Sequence, residues 1–414
     1  MDDPGGTKNP TVRGKDRGEE IESQIDDRET GRGKPAARNT GRGRPGVCNL
    51  IVVRETTNLV CQNVQDPLPA DPTIRSHIIL NQSMLSQGVV FTGPNTVSYQ
   101  AVTCPDPGPS DVLVRITHSW ISNGTEGSYL RGERSDGDTP YRSGDPLPFP
   151  VVAGYQKIGV VEHVGEEIDD VAVGETVFAT IGRVEGMHHP YGGHVSPSVS
   201  PREQIWKLPP GTDPLSYSGM VLAQVGYNGG TRPGLDVGDP ALVFGDGMVG
   251  LWTAQTLAWR GAEVILVGRH DERLRLFADR PFRHAVNSGT TDWKEYVKSH
   301  FADRLQVAVD TVGRIDLLES VQPFMRRFGH LVSAGFYGPA DRLALQPPRY
   351  GELTIHLVSG WRRDRMDETL RMIAAGHLET LHLITHHFPV ARAEEAWKLI
   401  ESKTEPVLGV ILDW

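Results

Sequence analysis

The chain has 414 residues, of which 38% are hydrophobic and 23% charged, and its formal net charge is −10. This is ordinary for a globular protein of two or three domains, and the acidic balance argues against nucleic acid as a partner. The three cysteines, Cys48, Cys61 and Cys104, form no CxxC pair, so neither a zinc ribbon nor a dithiol redox site is expected. The sequence shows no membrane-spanning apolar run and no secretory signal, which predicts a cytoplasmic protein.

Residues 1–76 are predicted to form a disordered tail. Up to about Gly46 the tail is rich in Gly, Arg, Lys, Asp and Glu and has almost no large apolar residue, so it cannot bury enough apolar surface to offset the entropy of ordering it. GRGKP and GRGRP could belong to an RNA-binding arm, but acidic residues are interspersed, and a solvated extension is favoured. An upstream start choice, with Met84 the more natural beginning, is another interpretation of the same stretch. Order is expected to begin near Ile78.

The segment 77–223 is predicted to be β-rich and barrel-like. GVVFTGPNTVSYQAV and DVLVRITHSW alternate apolar and polar residues around turns rich in proline and glycine, which is typical of antiparallel strands. Further short strands are predicted in VVAGYQKIGVVEHVG and GETVFATIG.

Strands and helices alternate in residues 224–360, which predicts a doubly wound parallel sheet and hence an α/β fold. The strand-like segments ALVF, EVILVGR and LQVAVDTVG are separated by helix-like segments such as GLWTAQTLAWRG at βαβ spacing. Residues 361–414 are expected to return to the first domain through the helix-like MDETLRMIAAG and a final strand, PVLGVILDW.

A GxGxxG motif lies in VFGDGMVG, at the start of the alternating part. It follows strand-forming residues and opens a helix, which is the context in which this pattern binds a dinucleotide. Gly245 is expected to make the tight turn, Gly247 to let the pyrophosphate approach, and Gly250 to let the helix pack on the strand. Met248 and Val249 complete the predicted cofactor loop.

The end of the second strand of this part indicates which dinucleotide binds. NAD sites usually carry Asp or Glu there, whereas this chain has Gly268, Arg269 and His270, with Arg273 on the next helix. A guanidinium binds the 2′-phosphate that a carboxylate repels, so NADP(H) is predicted. Alternatively, Arg269 is an ordinary surface arginine and Asp271 accepts a hydrogen bond from the ribose.

Several segments together resemble the medium-chain dehydrogenase/reductase superfamily, the zinc-type alcohol dehydrogenases and their relatives. They include ISNGTE, PFPVVAGYQKIGVVEHVG, VGETV, VFGDGMVG, AVDTVG and the closing HHFPVARAEEAWKLIES and PVLGVILDW. The resemblance implies a GroES-like catalytic domain, a Rossmann domain, an active site in the cleft against it, and a homodimer joined through the Rossmann sheets. The segments ISNGTE and AGYQ are loosely similar to the hydroxyethyl bacteriochlorophyllide dehydrogenases.

The chain departs from the zinc enzymes of this superfamily at the metal positions. Asn123 stands where they carry Cys, Tyr155 and Gln156 stand where they carry His and Glu, and residues 219–225 offer no ligand. Asparagine, tyrosine and glutamine are poor zinc ligands beside thiolate and imidazole. A zinc-independent enzyme is therefore predicted.

Without zinc, hydrogen-bond donors must stabilise the negative charge that develops on the substrate oxygen during hydride transfer. The resemblance places three candidates at one cleft: the phenol of Tyr155, the hydroxyl of Thr125 and the carboxamide of Asn123. Alternatively, Tyr155 only fills space, Thr125 and Glu126 tie down a loop, and Asn123 stabilises a turn.

The histidines of GMHHPYGGHV match no common metal-ligand spacing, so no metal site is assigned to His188, His189 and His194. His194 stays a candidate acid or base, in a strand near the cleft. Three aromatic residues are predicted to surround the substrate or nicotinamide: Trp120, Tyr129 and Trp361.

These expectations combine into a zinc-independent, NADP(H)-dependent oxidoreductase that transfers hydride between nicotinamide and an alcohol or ketone. Two alternatives remain open: an enone or quinone reductase of the same superfamily, and a non-catalytic NADPH-binding scaffold or sensor.

Overall fold

The computed structural model describes residues 83–278 and 281–414. The tail predicted over residues 1–76 and the onset of order predicted near Ile78 lie outside the described residues, and Met84 lies inside the first strand.

The first part of the chain is dominated by short strands. Its elements in chain order are β1 (Ser83–Gly93), β2 (Thr96–Pro105), β3 (Asp111–Ile121), α1 (Asn123–Leu130), β4 (Arg134–Asp136), β5 (Thr139–Pro140), β6 (Val151–Val152), β7 (Lys157–Val164), β8 (Thr176–Ala179), β9 (Gly182–Arg183), β10 (Tyr191–Gly192), β11 (Val195–Ser196), β12 (Ser198–Pro201) and β13 (Ile205–Lys207).

The second part alternates strands and helices and then returns. Its elements are α2 (Met220–Thr231), β14 (Pro240–Phe244), α3 (Met248–Trp259), β15 (Glu263–Gly268), α4 (Asp271–Ala278), β16 (Arg283–Asn287), α5 (Trp293–His300), β17 (Leu305–Asp310), α6 (Ile315–Ser320), β18 (Met325–Ser333), α7 (Gln346–Tyr350), β19 (Thr354–Leu357), α8 (Arg363–Ala374), β20 (Ile384–Pro389), α9 (Ala393–Ser402) and β21 (Gly409–Asp413).

The strands of the first part pair mainly antiparallel. β1 and β2 form the hairpin expected from GVVFTGPNTVSYQAV, and Asn95 takes a positive φ of 54° at its turn, a conformation that asparagine tolerates. β3 lies at the centre of a larger sheet of order β13-β8-β7-β3-β21-β20. Because β21 pairs with β3, the last residues of the chain complete the sheet of its first half.

The second part contains a six-stranded parallel sheet of order β16-β15-β14-β17-β18-β19. Every residue of β14 is buried, as expected for a central strand of a parallel sheet covered by helices on both faces. The predicted α/β class, a β-rich domain with a Rossmann-type parallel sheet, is confirmed.

Helices α2 and α3 pack closely and place the glycine motif at the carboxyl edge of this sheet. A Cβ at Gly226 would lie 2.6 Å from the Cβ of Trp252, so only glycine permits this approach of the two helices. Among the helices of residues 83–278 and 281–414, none is long and apolar enough to cross a membrane.

Candidate active site and cofactor cleft

A cleft of about 1970 Å³ runs past the carboxyl ends of β14, β15 and β17 and the first turn of α1. Ligands of open α/β sheets bind in the crevice outside the carboxyl ends of the strands. One end of this cleft is lined by the glycine motif and the other by the residues between β3 and α1.

The three glycines of the motif differ in their surroundings. Gly245 turns the chain after β14 with a φ of +111°, and Gly250 faces it so closely that a Cβ would lie 1.9 Å from the carbonyl oxygen of Gly245. Gly247 caps the N-terminus of α3, and no protein atom of the described chain lies within 4 Å of the place its Cβ would take. The cleft is therefore open to a phosphate where the amides of α3 begin, beside Met248 and Val249.

The end of β15 contains a feature that the sequence analysis missed. The carboxylate of Asp246, the residue between the first two motif glycines, accepts hydrogen bonds from the backbone N–H groups of Arg269 at 2.7 Å and His270 at 2.8 Å. The ring Nδ1 of His270 donates to the same carboxylate at 2.9 Å, and a guanidinium nitrogen of Arg273 lies 3.6 Å away. Burial alone would raise the pKa of Asp246, but these donors hold it below its ordinary value.

The side chain of Arg269 is exposed at the rim of the cleft, and its guanidinium has no partner among the described residues. Asp271, the alternative ribose acceptor, begins α4 and accepts a hydrogen bond from Asn287 at 2.6 Å. It does not line the cleft. Among the described residues, the strand end therefore presents Arg269 as a free cation to a ligand, and the carboxylate of Asp246 beside it comes from the glycine loop.

At the other end of the cleft, Asn123 and Thr125 lie in the first turn of α1 rather than in a loop. The amide nitrogen of Asn123 donates to the carbonyl oxygen of Leu408 at 2.7 Å, while its Oδ1 is buried without a partner in the described part of the chain. Asn123 thus ties α1 to the segment before β21.

Tyr155 follows Gly154 just before β7, and it lines the cleft. Its phenol donates to the hydroxyl of Ser122 at 2.6 Å, and its ring stacks on Trp361 with centroids 5.8 Å apart. Burial raises the pKa of Tyr155 to about 12, against a smaller lowering by the hydroxyls of Ser122 and Thr125. The phenol is therefore protonated and able to donate at neutral pH.

Ser122 is a second residue that the sequence analysis missed, although it stands inside the ISNGTE segment. It precedes α1 as the N-cap, but its hydroxyl makes no capping hydrogen bond. Its backbone N–H donates instead to Glu126 at 2.8 Å, which leaves the hydroxyl oriented to Tyr155.

The residues at the zinc positions do not fit a zinc ion. Asn123 and Tyr155 are engaged as described, and Gln156 is fully buried, with its carboxamide oxygen accepting from the N–H of Leu222 at 3.4 Å. Amide and phenol groups held in this way are weak ligands for zinc. Within residues 83–278 and 281–414, no three His, Cys, Asp or Glu side chains are grouped as a metal site.

The structure corrects the placement of His194. It lies between β10 and β11 rather than in a strand, is fully buried, and does not line the cleft. Its Nε2 donates to the carboxylate of Glu126 at 2.9 Å, and its Nδ1 lies 2.8 Å from the hydroxyl of Ser119. Both ring nitrogens are engaged and the ring lies behind the cleft lining, so His194 braces α1 through Glu126.

Trp120 is also placed differently from the expectation. Its side chain is fully buried, it does not line the cleft, and its indole N–H donates to the sulfur of Met248 at 3.2 Å. Its ring packs against Trp252 with centroids 5.9 Å apart, so Trp120 lies in the core rather than around the substrate.

Tyr129 and Trp361 do line the cleft, and two further aromatic rings join them. His189 lies edge-on to Tyr129 with centroids 6.3 Å apart and stacks on Tyr191 at 5.4 Å. His188 contacts the ring of His189 at 4.7 Å but does not line the cleft. His189 thus belongs to an aromatic wall of the cleft, and His188 packs behind it.

Comparison with known proteins agrees with this architecture. A family model described as zinc-binding dehydrogenase matches residues 249–375. The 2-desacetyl-2-hydroxyethyl bacteriochlorophyllide A dehydrogenase of Cereibacter sphaeroides is 27% identical over 342 residues, which cover 80% of this chain and 99% of that protein.

Two solved structures share the fold. A Sinorhizobium meliloti 1021 protein described as a zinc-binding dehydrogenase and bound to NADP superimposes with a TM-score of 0.67 and 20% identity, covering 80% of this chain and all of the other. An alcohol dehydrogenase of Escherichia coli CFT073 complexed with NADH gives a TM-score of 0.68 and 22% identity, covering 80% and 99%. By these matches the chain is similar to dehydrogenases over most of its length and shares their fold.

Proposed function

We propose that this chain is a zinc-independent oxidoreductase that transfers hydride between NADP(H) and an alcohol or ketone. The observation that carries the proposal is the Tyr155–Ser122 hydrogen bond of 2.6 Å, which lies in the same cleft as the glycine loop. It puts hydroxyl donors at positions where the zinc-type enzymes use a metal to stabilise charge on oxygen.

The residues divide the work between the two ends of the cleft. The amides at the start of α3, opened by Gly247, hold the pyrophosphate, and the free guanidinium of Arg269 binds the 2′-phosphate. The bound nicotinamide supplies or accepts the hydride.

The hydroxyl pair handles the substrate oxygen. Because Tyr155 donates to Ser122, the hydrogen of the Ser122 hydroxyl is free to point into the cleft, and Thr125 lies beside the pair. A substrate oxygen that gains negative charge accepts from these groups, and a raised tyrosine pKa keeps the phenol from losing its proton before that point.

The test uses paired substrates and one isosteric change. We expect NADPH oxidation with ketones, and Tyr155→Phe should lower turnover by about 10²–10³ while NADPH affinity changes little, because the change removes one hydroxyl of the Tyr155–Ser122 pair and leaves the cofactor end intact. Tyr99→Phe, at a tyrosine outside the cleft, is the matched control and should keep parental turnover.

Three results would redirect the proposal. Turnover confined to conjugated enones would favour the enone or quinone reductase, in which the same donors hold an enolate oxygen. NADPH binding without turnover of any substrate would favour the scaffold. Parental turnover in Tyr155→Phe would leave the tyrosine a packing role and move the donor role to Thr125 or Asn123.

We also propose that two chains associate through the free edge of the parallel sheet. β19 pairs only with β18 among the described strands, and Leu345, Tyr350 and Leu357 near this edge are 68%, 80% and 76% exposed. Light scattering should give a dimer mass for the parent and a monomer mass for Leu357→Glu.

A further inference from the structure

Asp246 is a buried carboxylate at the cofactor end of the cleft, and neither the glycine motif nor hydride chemistry requires it. It is 6% exposed and lines the cleft. One oxygen, Oδ2, receives the backbone N–H groups of Arg269 and His270 and the ring of His270. The other, Oδ1, has only the His270 ring at 3.2 Å and Arg273 at 3.6 Å, so it retains capacity to accept from a ligand.

The position of this carboxylate matters more than its burial. A Cβ at Gly268 would lie 2.4 Å from Oδ2 of Asp246, so the glycine loop and the end of β15 meet at this carboxylate. In Rossmann folds the adenosine ribose lies beside the end of the second strand, where an acidic residue of that strand accepts from its hydroxyls. Asp246 brings a carboxylate to the same place from the opposite side.

Asp246 also offsets the cations that a 2′-phosphate would use. The guanidinium of Arg273 lies 3.6 Å from Asp246 as an ion pair and donates a hydrogen bond to the carbonyl oxygen of Val407, and the His270 ring donates to Asp246 directly. Of the three cations at the end of β15, Arg269 alone has no partner among the described residues. It would face a 2′-phosphate that carries close to two negative charges.

We infer that Asp246 is the residue that limits cofactor selectivity: its carboxylate accepts from the ribose hydroxyls of NADH and opposes the 2′-phosphate of NADPH. This inference rests on the proposed nicotinamide-dependent function. The chain then binds both cofactors. Its preference for NADPH is smaller than it would be if Arg269 acted without the opposing carboxylate.

The decisive variant is Asp246→Asn, which keeps an acceptor for the two backbone N–H groups and removes the charge. We expect the ratio of NADH to NADPH dissociation constants to rise by about 10- to 100-fold in favour of NADPH, as for one charge contact. The ratio is measured by calorimetric titration at fixed ionic strength, with 2′-AMP and 5′-AMP as fragments that isolate the phosphate position.

Asp271→Asn is the matched control, because it removes the same charge two residues past Arg269 but outside the cleft. Its ratio should stay within about twofold of the parent, since an exposed charge is screened by solvent. Thermal unfolding of both variants, compared with that of the parent, checks that each variant is folded.

Two results would overturn the inference. An unchanged ratio in a folded Asp246→Asn protein would make Asp246 a brace of the loop only. If that variant does not fold, the ratio of the two dissociation constants of the unmutated protein tests the inference instead. A preference for NADPH above about 100-fold would contradict it, because a carboxylate that opposes the 2′-phosphate is incompatible with such selectivity. Failure of the parent to bind either cofactor would instead remove the proposed function itself.

Discussion

Lys157 allows a quantitative prediction, because it is a fully buried base two residues after Tyr155 in the chain. It begins β7, none of its side chain is exposed, and its ammonium has one long hydrogen bond, 3.4 Å to the carbonyl oxygen of Gly192. Burial lowers the pKa of Lys157 to about 7, while the neighbouring Cys104 acts weakly in the opposite direction. The folded chain therefore prefers the neutral amine.

The sign of the effect on stability follows from proton counting. Between the folded pKa near 7 and the ordinary value of 10.5, the unfolded chain carries a proton on Lys157 that the folded chain lacks. Stability from this group therefore rises with pH across that range, by about 1.4 kcal/mol per pH unit. Below pH 7 the lysine is charged in both states and its burial costs the most.

Lys157→Met keeps the length of the side chain and removes the charge. The variant should be more stable than the parent at pH 6, and this gain should shrink by about 2.5 kcal/mol at pH 9, since the parent recovers most of its cost by losing the proton. Urea unfolding at both pH values, in one buffer mixture at constant ionic strength, measures the two differences in unfolding free energy.

Lys298→Met is the matched control, because that lysine is 70% exposed and the same change should give the same small difference at both pH values. A gain for Lys157→Met that is equal at pH 6 and pH 9 would refute the reasoning. It would mean that Lys157 stays charged in the fold and that burial does not govern its titration.

Three further predictions address the cofactor, the metal and the brace of α1. Arg269→Asp, at an exposed residue, should weaken NADPH relative to NADH by about 10- to 100-fold in titrations, and tighter NADH than NADPH binding by the parent would contradict the NADP(H) proposal. EDTA treatment should leave turnover unchanged, and one zinc per chain that tracks activity would contradict zinc independence. His194→Leu leaves Glu126 buried without its partner and should cost about 3 kcal/mol in urea unfolding; a loss below about 1 kcal/mol would make the pair unimportant.

The sequence predicts the parallel sheet and the position of the glycine loop because both depend on residues close in the chain. β14, Gly245 and the start of α3 follow one another, so spacing alone indicates a strand, a turn and a helix. The hairpin of β1 and β2 is similarly local. Patterns of this kind need no knowledge of distant contacts.

Contacts between distant segments could not be predicted in this way. Asp246 meets Arg269, 23 residues later, and Tyr155 meets Ser122, 33 residues earlier. Strand alternation predicts that the side chain of Trp120 lies on a covered face of its strand. It does not predict that Met248 and the neighbouring β21 provide this cover rather than a substrate. A polar residue inside a glycine motif was nevertheless a usable signal, since Asp246 has no role in the turn itself.

The positions that hold zinc in related enzymes have acquired specific partners in this chain, and this bears on how the cleft works. Asn123 binds the carbonyl oxygen of Leu408, Tyr155 binds Ser122, and Gln156 binds the N–H of Leu222. The contacts of Asn123 and Gln156 join the start of α1 and the start of β7 to segments that are distant in the chain. A metal ion would join such segments by binding ligands from each of them. Asn123 and Tyr155 both line the cleft, but the amide of Asn123 is bound to a backbone carbonyl, whereas Tyr155 and Ser122 present hydroxyl groups there. Under the proposed function, chemistry at this end of the cleft therefore depends on the hydroxyl pair, and the contacts of Asn123 and Gln156 maintain its surroundings.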